Sequence, residues 1–216
     1  MIKNIFFDLD GTIINSEEGV LEGIRLALKK FGYEVPEYST LRKCIGPPFS
    51  YSFPNILGVK DEDFEDAVKC YRKFYDSDGI YRCKVYEGIE DLLKALVNRG
   101  YSLNICSSKP EVACKKLLAH LGIDKYFSDI VGATLDGRIE TKEQVIDECF
   151  ARAPWKKKEE TVLIGDTKYD ALGAFEKGIS CIGITWGFGT KEELVNAHAI
   201  EAFDTCQEVL EYIEQA

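Results

Sequence analysis

Short apolar runs alternate with helical patterns over most of the chain. Runs rich in β-prone residues predict strands at residues 4–7, 101–106, 130–131, 161–164 and 180–184. Between them, apolar residues at helical spacing predict helices over residues 88–98, 111–121, 142–150 and 169–177. Strands that alternate with helices of about ten to fifteen residues favour a parallel sheet with helices on both faces.

The stretch from residue 16 to residue 85 has a different pattern. Helical spacing recurs over residues 17–31, where Ser16 can cap the helix, and over residues 61–74, and the consecutive prolines Pro47 and Pro48 must break any helix between them. Aromatic residues are dense here without a basic stripe, which favours the core of a small helical subdomain over a nucleic-acid stacking platform. We expect one domain from residues 1–15 and 86–216 and a helical domain from residues 16–85.

Two acidic residues follow the first predicted strand. Side chains alternate between the faces of a strand, so Asp8 and Asp10 point the same way if the strand continues. Two carboxylates held close together need a cation or a shared proton, and oxygen ligands suit a hard cation such as Mg²⁺. The alternative is a solvated turn, because Asp and the following Gly11 are common turn residues.

Polar residues also follow two later strands. Ser107 and Ser108 come after the strand at 101–106, and Asp166 comes after the strand at 161–164. In a parallel α/β sheet the binding site lies outside the carboxyl ends of the strands, so these residues should gather with Asp8 and Asp10. Their joint occurrence favours a site over a set of unrelated turns.

Composition narrows the class of protein. The formal charge is −10, which disfavours binding to a nucleic-acid polymer or an anionic membrane. The N-terminus leads almost directly into the first strand, and no apolar run approaches the roughly 20 residues that span a bilayer, so we expect a cytoplasmic protein without a signal peptide. None of the eight cysteines forms a C-x-x-C pair and there are only two histidines, which disfavours a zinc site.

The motifs resemble those of a known family. Asp8-Leu9-Asp10-Gly11-Thr12 is similar to the first motif of the haloacid dehalogenase superfamily, in its phosphatase branch. Ser107 is similar to its second motif, Lys142 to its third, and Gly165-Asp166 with Asp170 to its fourth, in the family's order. The resemblance implies a Rossmann-like α/β core with helices on both faces and an inserted α-helical cap domain.

Two further segments refine the resemblance. The sequences at residues 45–48 and 84–88 are most similar to the phosphoglycolate phosphatase and 5′-nucleotidase-like branch of the superfamily. The chain departs mildly from the family pattern: Ser107 stands where many relatives have Thr, and His198 stands where relatives often have Gly.

The resemblance also implies roles for individual residues. Asp8 would be the nucleophile that forms an aspartyl-phosphate, and Asp10 would be the general acid and base. Ser107 and Lys142 would complete the catalytic group by stabilising charge on the phosphate. The implied Mg²⁺ ligands are Asp8, Asp166 and, through its backbone carbonyl, Asp10, with Asp170 as a ligand or an orienting residue. The implied substrate-binding residues are Gly11, Thr12, Ser107, Ser108, Lys109, Lys142 and Gly46.

The function we expect is Mg²⁺-dependent hydrolysis of a small phosphate ester, such as phosphoglycolate, a nucleotide or a sugar phosphate. A phosphomutase of the same superfamily is the main alternative, and a non-catalytic phosphate-binding module is a second. We expect no nucleic-acid or membrane partner, and a monomer or a weak homodimer. The sequence does not identify the substrate.

Overall fold

The computed structural model describes residues 1–216. Contacts divide the chain into two compact units, one formed by Met1–Ile14 and Val85–Ala216 and the other by Asn15–Lys84. The first half of the chain contains β1 (Asn4–Phe7), β2 (Ile14–Asn15), α1 (Glu17–Lys30), α2 (Tyr38–Arg42), α3 (Phe49–Asn55), α4 (Asp61–Ser77), β3 (Lys84–Val85), α5 (Ile89–Asn98) and β4 (Ser102–Pro110). The second half contains α6 (Glu111–Leu121), β5 (Asp129–Ala133), α7 (Lys142–Arg152), β6 (Thr161–Gly165), α8 (Lys168–Lys177), β7 (Ser180–Ile184), α9 (Lys191–Asn196), β8 (Glu201–Phe203) and α10 (Cys206–Gln215).

The larger unit is built on a six-stranded sheet in the order β5-β4-β1-β6-β7-β8. Every neighbouring pair in this sheet is parallel. The predicted fold class, a Rossmann-like α/β core with an inserted α-helical region, is therefore confirmed. After β1 the chain adds β4 and β5 on one side of this strand and then crosses over to add β6, β7 and β8 on the other side. The strand order therefore reverses at β1, and sheets of this type bind their ligands at such a point.

Strand β1 lies at the centre of the sheet because both of its faces are apolar. Ile5, Phe6 and Phe7 are all completely buried, as expected for a strand that helices cover on both sides. Phe6 belongs to a core cluster with Leu163 of β6 and Val145 of α7. The central strand is thus rigidly packed up to the residue that precedes Asp8.

Strand β4 is longer than the sequence predicts. It was expected to end at Cys106, yet it runs through Ser107 and Ser108 to Pro110, with an irregularity in register between Ser107 and Pro110. Pairing with β5 continues on that side of the sheet and outweighs the turn preference of the Ser-Ser-Lys-Pro segment. Ser107 and Ser108 therefore lie within an irregular strand end and not in the loop after it.

The C-terminal part of the chain contains elements that the sequence analysis did not predict. Residues 191–215 form α9, the three-residue strand β8 and α10, which complete one edge of the sheet. His198 follows α9 with a φ of 72°, a left-handed conformation that favours glycine, and its ring stacks on Phe175 with a centroid separation of 4.0 Å.

The smaller unit, Asn15–Lys84, is helical and has its own aromatic core. Phe53 is completely buried, and Tyr71 and Tyr75 of α4 are nearly so. The ring of Phe49 meets Tyr71 edge to face at 4.6 Å. The glycine at position 23 lets α1 approach this core closely, because a Cβ there would lie within 3.0 Å of the Tyr71 ring. No helix in the structure has the length and apolar character that a membrane crossing requires.

Candidate active site

Three carboxylates meet at the carboxyl ends of the central strands. Asp8 follows β1, Asp166 follows β6, and Asp170 lies in the first turn of α8. Their nearest oxygens lie within 4.8 Å of one another, and all three side chains are buried. The register explains this meeting, because Phe7 pairs with Ile164 of β6, so the residues that follow both strands emerge side by side. We call Asp8, Asp166 and Asp170 the acidic cluster.

Lys142 is the cation within the acidic cluster. Its Nζ lies 2.7 Å from Asp8 Oδ1 and 2.7 Å from Asp170 Oδ1, and it donates to the carbonyl of Cys106 at 2.8 Å. Thr141, the residue before it, caps α7 in a capping box and thereby fixes the start of the helix that carries the lysine. Lys142 is only 5% exposed, which excludes the alternative that it is a surface charge on a helix.

The charges in this cluster are poorly balanced. The pKa of Asp8 is raised from 3.8 to about 6. Burial is the main cause, Lys142 opposes the shift, and the nearby Asp170 adds to it. Burial and the neighbouring carboxylates of Asp170 and Asp8 hold the pKa of Asp166 well above its ordinary value. Burial alone would lower the pKa of Lys142, but the charges of Asp170 and Asp8 outweigh it and raise that pKa well above its usual range.

The donor set fits a hard divalent cation. Three carboxylates against one ammonium leave a formal charge of −2 when all are ionised. Carboxylate oxygens are the ligands that Mg²⁺ prefers, and a dication would relieve the repulsion that raises these pKa values. The chemistry of the cluster therefore supports the Mg²⁺ that the family resemblance implies.

Asp166 is held through both of its oxygens. Thr12 Oγ1 donates to Oδ1 at 2.9 Å, and the backbone N–H of Phe188 donates to Oδ2 at 2.8 Å. The Thr12 hydroxyl thus contacts a carboxylate of the cluster, although the sequence predicts a substrate-binding role for this residue. Phe188 was not predicted to take part in the site.

Both oxygens of Asp170 also have protein partners. Oδ2 accepts from the backbone N–H of Thr167 at 3.0 Å and from its hydroxyl at 2.7 Å, in a capping box at the start of α8. Oδ1 pairs with Lys142. This arrangement supports an orienting role for Asp170 over direct metal binding, two possibilities that the sequence left open.

Asp10 takes a different partner from Asp8. Lys109 Nζ donates to Asp10 Oδ1 at 3.1 Å and to Oδ2 at 2.9 Å, and both side chains are largely buried, at 6% and 15% exposure. The Asp10 carboxylate lies outside the acidic cluster, so any metal contact from this residue would come from its backbone. The structure places Lys109 in the site, on a carboxylate.

The remaining predicted residues have simpler surroundings. Ser107 is 2% exposed, and its Oγ accepts from the backbone N–H of Lys109 at 3.3 Å; Ser108 lies next to it in β4. Gly11 has a φ of 90°, and a Cβ there would overlap Asp166, so only glycine fits this turn. Gly46, with a φ of 107°, belongs to the helical unit.

A parallel sheet with buried carboxylates and a buried lysine at its carboxyl edge is the arrangement expected of the phosphatase branch that the sequence motifs resemble. The family model described as haloacid dehalogenase-like hydrolase matches residues 5–184, and the chain belongs to this family. The recognition made from the four motifs is thereby confirmed.

Similar proteins agree with this assignment. A 5′-nucleotidase of Pseudomonas aeruginosa is 37% identical over 191 residues, which cover 88% of this chain and 86% of that protein. A phosphoglycolate phosphatase of Aquifex aeolicus is 29% identical over 190 residues, which cover 87% and 86% of the two chains. The tyrosine-protein kinase PtkA of Mycobacterium tuberculosis is 33% identical over 185 residues, which cover 86% of this chain but 62% of PtkA.

A solved structure extends the agreement to the fold. The crystal structure of a predicted phosphatase from Clostridium acetobutylicum is 36% identical and matches with a TM-score of 0.95 over 100% of both chains. The chain described here is therefore an enzyme of the family's phosphatase type, whose substrates are small phosphorylated compounds.

Proposed function

We propose that the protein is a Mg²⁺-dependent phosphomonoester hydrolase that works through an aspartyl-phosphate on Asp8. The observation that carries the proposal is the separation of two carboxylates only two residues apart. Asp8 lies in the acidic cluster beside Lys142, whereas Asp10 lies outside it with Lys109. This separation supports a role in attack for Asp8, on an anion that the cations of the site would neutralise, and a role in proton transfer for Asp10.

The chain's own residues account for each step. A carboxylate oxygen of Asp8 attacks phosphorus as the ester P–O bond breaks, and Asp10, which must be protonated and released from Lys109 in the substrate complex, gives its proton to the departing alkoxide. Asp10 then takes a proton from water as that water attacks phosphorus, which releases phosphate and restores Asp8. Lys142, 2.7 Å from Asp8, is placed to stabilise charge on the transferred group, and Ser107 to donate to a phosphate oxygen.

Mg²⁺ would be held by Asp8, Asp166 and the backbone carbonyl of Asp10. The chemistry that it supplies when bound is positive charge, which offsets the repulsion between the carboxylates and the phosphate. Asp170 would orient Lys142, and Thr12 would orient Asp166, through the hydrogen bonds described above.

The helical region, predicted from the sequence at residues 16–85 and found as the unit Asn15–Lys84, would act as the cap that selects the substrate. Within it we assign residues 46–53, which begin at Gly46 and run into the first residues of α3, as a specificity element. The relatives named for 5′-nucleotidase and phosphoglycolate phosphatase activity support a nucleoside monophosphate or phosphoglycolate as first choices. A cytoplasmic location and a monomer or weak homodimer stay predictions.

A phosphate-release screen tests the proposal. The enzyme is assayed with Mg²⁺ against nucleoside monophosphates, phosphoglycolate, sugar phosphates and pyrophosphate, beside Asp8→Asn as the blank. We expect free phosphate from at least one ester with the wild type and none above background with the variant. An isomerised sugar phosphate without free phosphate would establish a phosphomutase instead, and no turnover of any compound would favour a non-catalytic module.

A further inference from the structure

The loop after β7 makes contacts that the catalytic roles above do not explain. Residues 186–189 read Trp-Gly-Phe-Gly, and we call them the 186–189 loop. The backbone N–H of Phe188 donates to Asp166 Oδ2 at 2.8 Å. The indole Nε1 of Trp186 donates to the carbonyl of Thr12 at 3.1 Å, and the hydroxyl of Thr12 donates to Asp166 Oδ1 at 2.9 Å. The loop therefore reaches both oxygens of Asp166, one directly and one through Thr12.

The glycines of the loop allow this approach. A Cβ at Gly187 would lie within 3.0 Å of Asp166 and of the carbonyl oxygen of Gly11, and a Cβ at Gly189 would lie within 3.0 Å of the backbone of Asp166. Glycine is the residue that permits such close backbone contact. Because Asp166 is completely buried, the loop and Thr12 form the walls that fix its carboxylate.

We propose that the 186–189 loop is a positioning element that sets the Mg²⁺ affinity of the site by orienting Asp166. The proposal rests on the Mg²⁺-dependent function above, and it concerns Trp186 and Phe188, whose side chains offer no oxygen ligand. Groups that hydrogen-bond to a ligating carboxylate fix its direction, and their loss typically costs about 10- to 100-fold in metal affinity or activity. Trp186 acts on Asp166 through Thr12, so its indole N–H is the group to remove.

The chain offers a direct optical probe of this coupling. It has two tryptophans, and Trp155 is 75% exposed and outside the site. In a Trp155→Phe background, Trp186 is the only indole that emits. Titration of the substrate-free protein with Mg²⁺ is expected to give a saturable change in this emission that EDTA reverses and that is absent in Asp166→Asn. If the Trp186 emission does not change at Mg²⁺ concentrations that raise the unfolding temperature, the proposed coupling between Trp186 and the metal site is wrong.

The second readout is metal affinity without substrate. The Mg²⁺ concentration that gives half of the full increase in unfolding temperature is compared between the wild type, Trp155→Phe as the matched control, and Trp186→Phe, which keeps a ring but lacks the N–H. We expect the half-saturating Mg²⁺ concentration to increase about 10-fold for Trp186→Phe and to stay unchanged for Trp155→Phe. The kcat of Trp186→Phe at saturating Mg²⁺ should be within about twofold of the wild type. A merely structural role would lower the metal-free unfolding temperature and leave the half-saturating Mg²⁺ concentration unchanged, and that result would overturn the proposal.

Two further controls keep the outcome clear. If Trp186→Phe does not fold, benzothienylalanine at position 186 keeps the shape of the indole and removes only the N–H; the same increase supports the proposal, and an unchanged affinity overturns it. A wild type that binds no Mg²⁺ overturns both this proposal and the proposed function. If the wild type binds Mg²⁺ but with the same affinity as the Trp186 variants, the role of the 186–189 loop is wrong while the proposed function stands.

Discussion

The acidic cluster should destabilise the metal-free protein, and Asp8→Asn should therefore make it more stable. The pKa of Asp8 rises from 3.8 to about 6 on folding, chiefly because its carboxylate is buried. At about 1.4 kcal/mol for each tenfold change in proton affinity, this shift corresponds to about 3 kcal/mol. This figure of about 3 kcal/mol already includes the favourable ion pair with Lys142, because Lys142 lowers the pKa of Asp8 and so opposes the rise. Asparagine has nearly the same shape and carries no charge.

The sign of the effect fixes its dependence on pH. A carboxyl whose pKa is raised on folding holds its proton in the folded state while the unfolded chain has lost it. The resulting destabilisation is absent below the unfolded value of 3.8, grows between 3.8 and about 6, and is complete above about 6. Asp8→Asn should thus gain about 3 kcal/mol at about pH 7.5 and almost nothing below about pH 4.

Urea unfolding in EDTA measures this directly. The midpoint should rise at about pH 7.5 while the dependence on urea concentration stays the same, since the surface exposed on unfolding does not change. Glu176→Gln, which removes an exposed carboxylate from α8, is the matched control and should show no comparable gain. Mg²⁺ should then stabilise the wild type more than Asp8→Asn. A variant that is no more stable than the wild type at about pH 7.5, or a gain that persists at about pH 4, would refute the electrostatic argument.

Three other substitutions have definite expected results. Asp10→Asn should slow the steady turnover of p-nitrophenyl phosphate by about 10²- to 10⁴-fold but still give a burst of p-nitrophenolate, because this leaving group needs no proton whereas the attacking water does; full turnover would contradict the role of Asp10. Lys142→Met should cost about 3–5 kcal/mol of stability in EDTA, measured by urea unfolding, and the loss should shrink as the pH falls through about 6, where the Asp8 carboxyl of the folded protein takes up its proton. His198→Gly should be about 1 kcal/mol more stable than His198→Ala in the same assay, since both lose the stacking on Phe175 but only glycine tolerates the φ of 72°; equal stabilities would show that the backbone there is not strained.

The position of the site could be predicted from the sequence because it depends on local patterns. Apolar runs mark the strands, and in a parallel sheet the residues after each run must emerge at one edge. The register agrees with this, since Phe7 pairs with Ile105 on one side and Ile164 on the other, which places Asp8 directly after the last paired residue of β1 on both sides. No family resemblance is needed for this step.

The partners of the carboxylates could not be predicted in the same way. Lys142 meets Asp8 across 134 positions of sequence, and Lys109 meets Asp10 across 99. Local pattern leaves both lysines as ordinary charges at the starts of helices, and only the order of the family motifs singled out Lys142. Contacts of this range depend on how the crossovers pack, which spacing alone does not determine.

The C-terminal elements were missed for a different reason. Thr190 with Glu193 and Thr205 with Glu208 form capping boxes that start α9 and α10, and this spacing is readable in the sequence. The strand between these helices has only three residues, too few for alternation to be recognised. The contact of Phe188 with Asp166 left no signal at all, because the donor is a backbone N–H that every residue except proline carries.

The distribution of the two buried lysines is the reason for expecting a dication at the site. Four carboxylates and two ammonium groups gather here: Lys109 forms an ion pair with Asp10, whereas Lys142 forms ion pairs with both Asp8 and Asp170. Asp166 has hydrogen bonds but no ion pair with either lysine, and burial together with the charges of Asp170 and Asp8 raises its pKa well above its ordinary value. A second lysine in the cluster would make the metal-free fold more stable and would remove the unbalanced charge that attracts Mg²⁺. The instability that Asp8→Asn should relieve is therefore the same property on which the proposed Mg²⁺ binding depends.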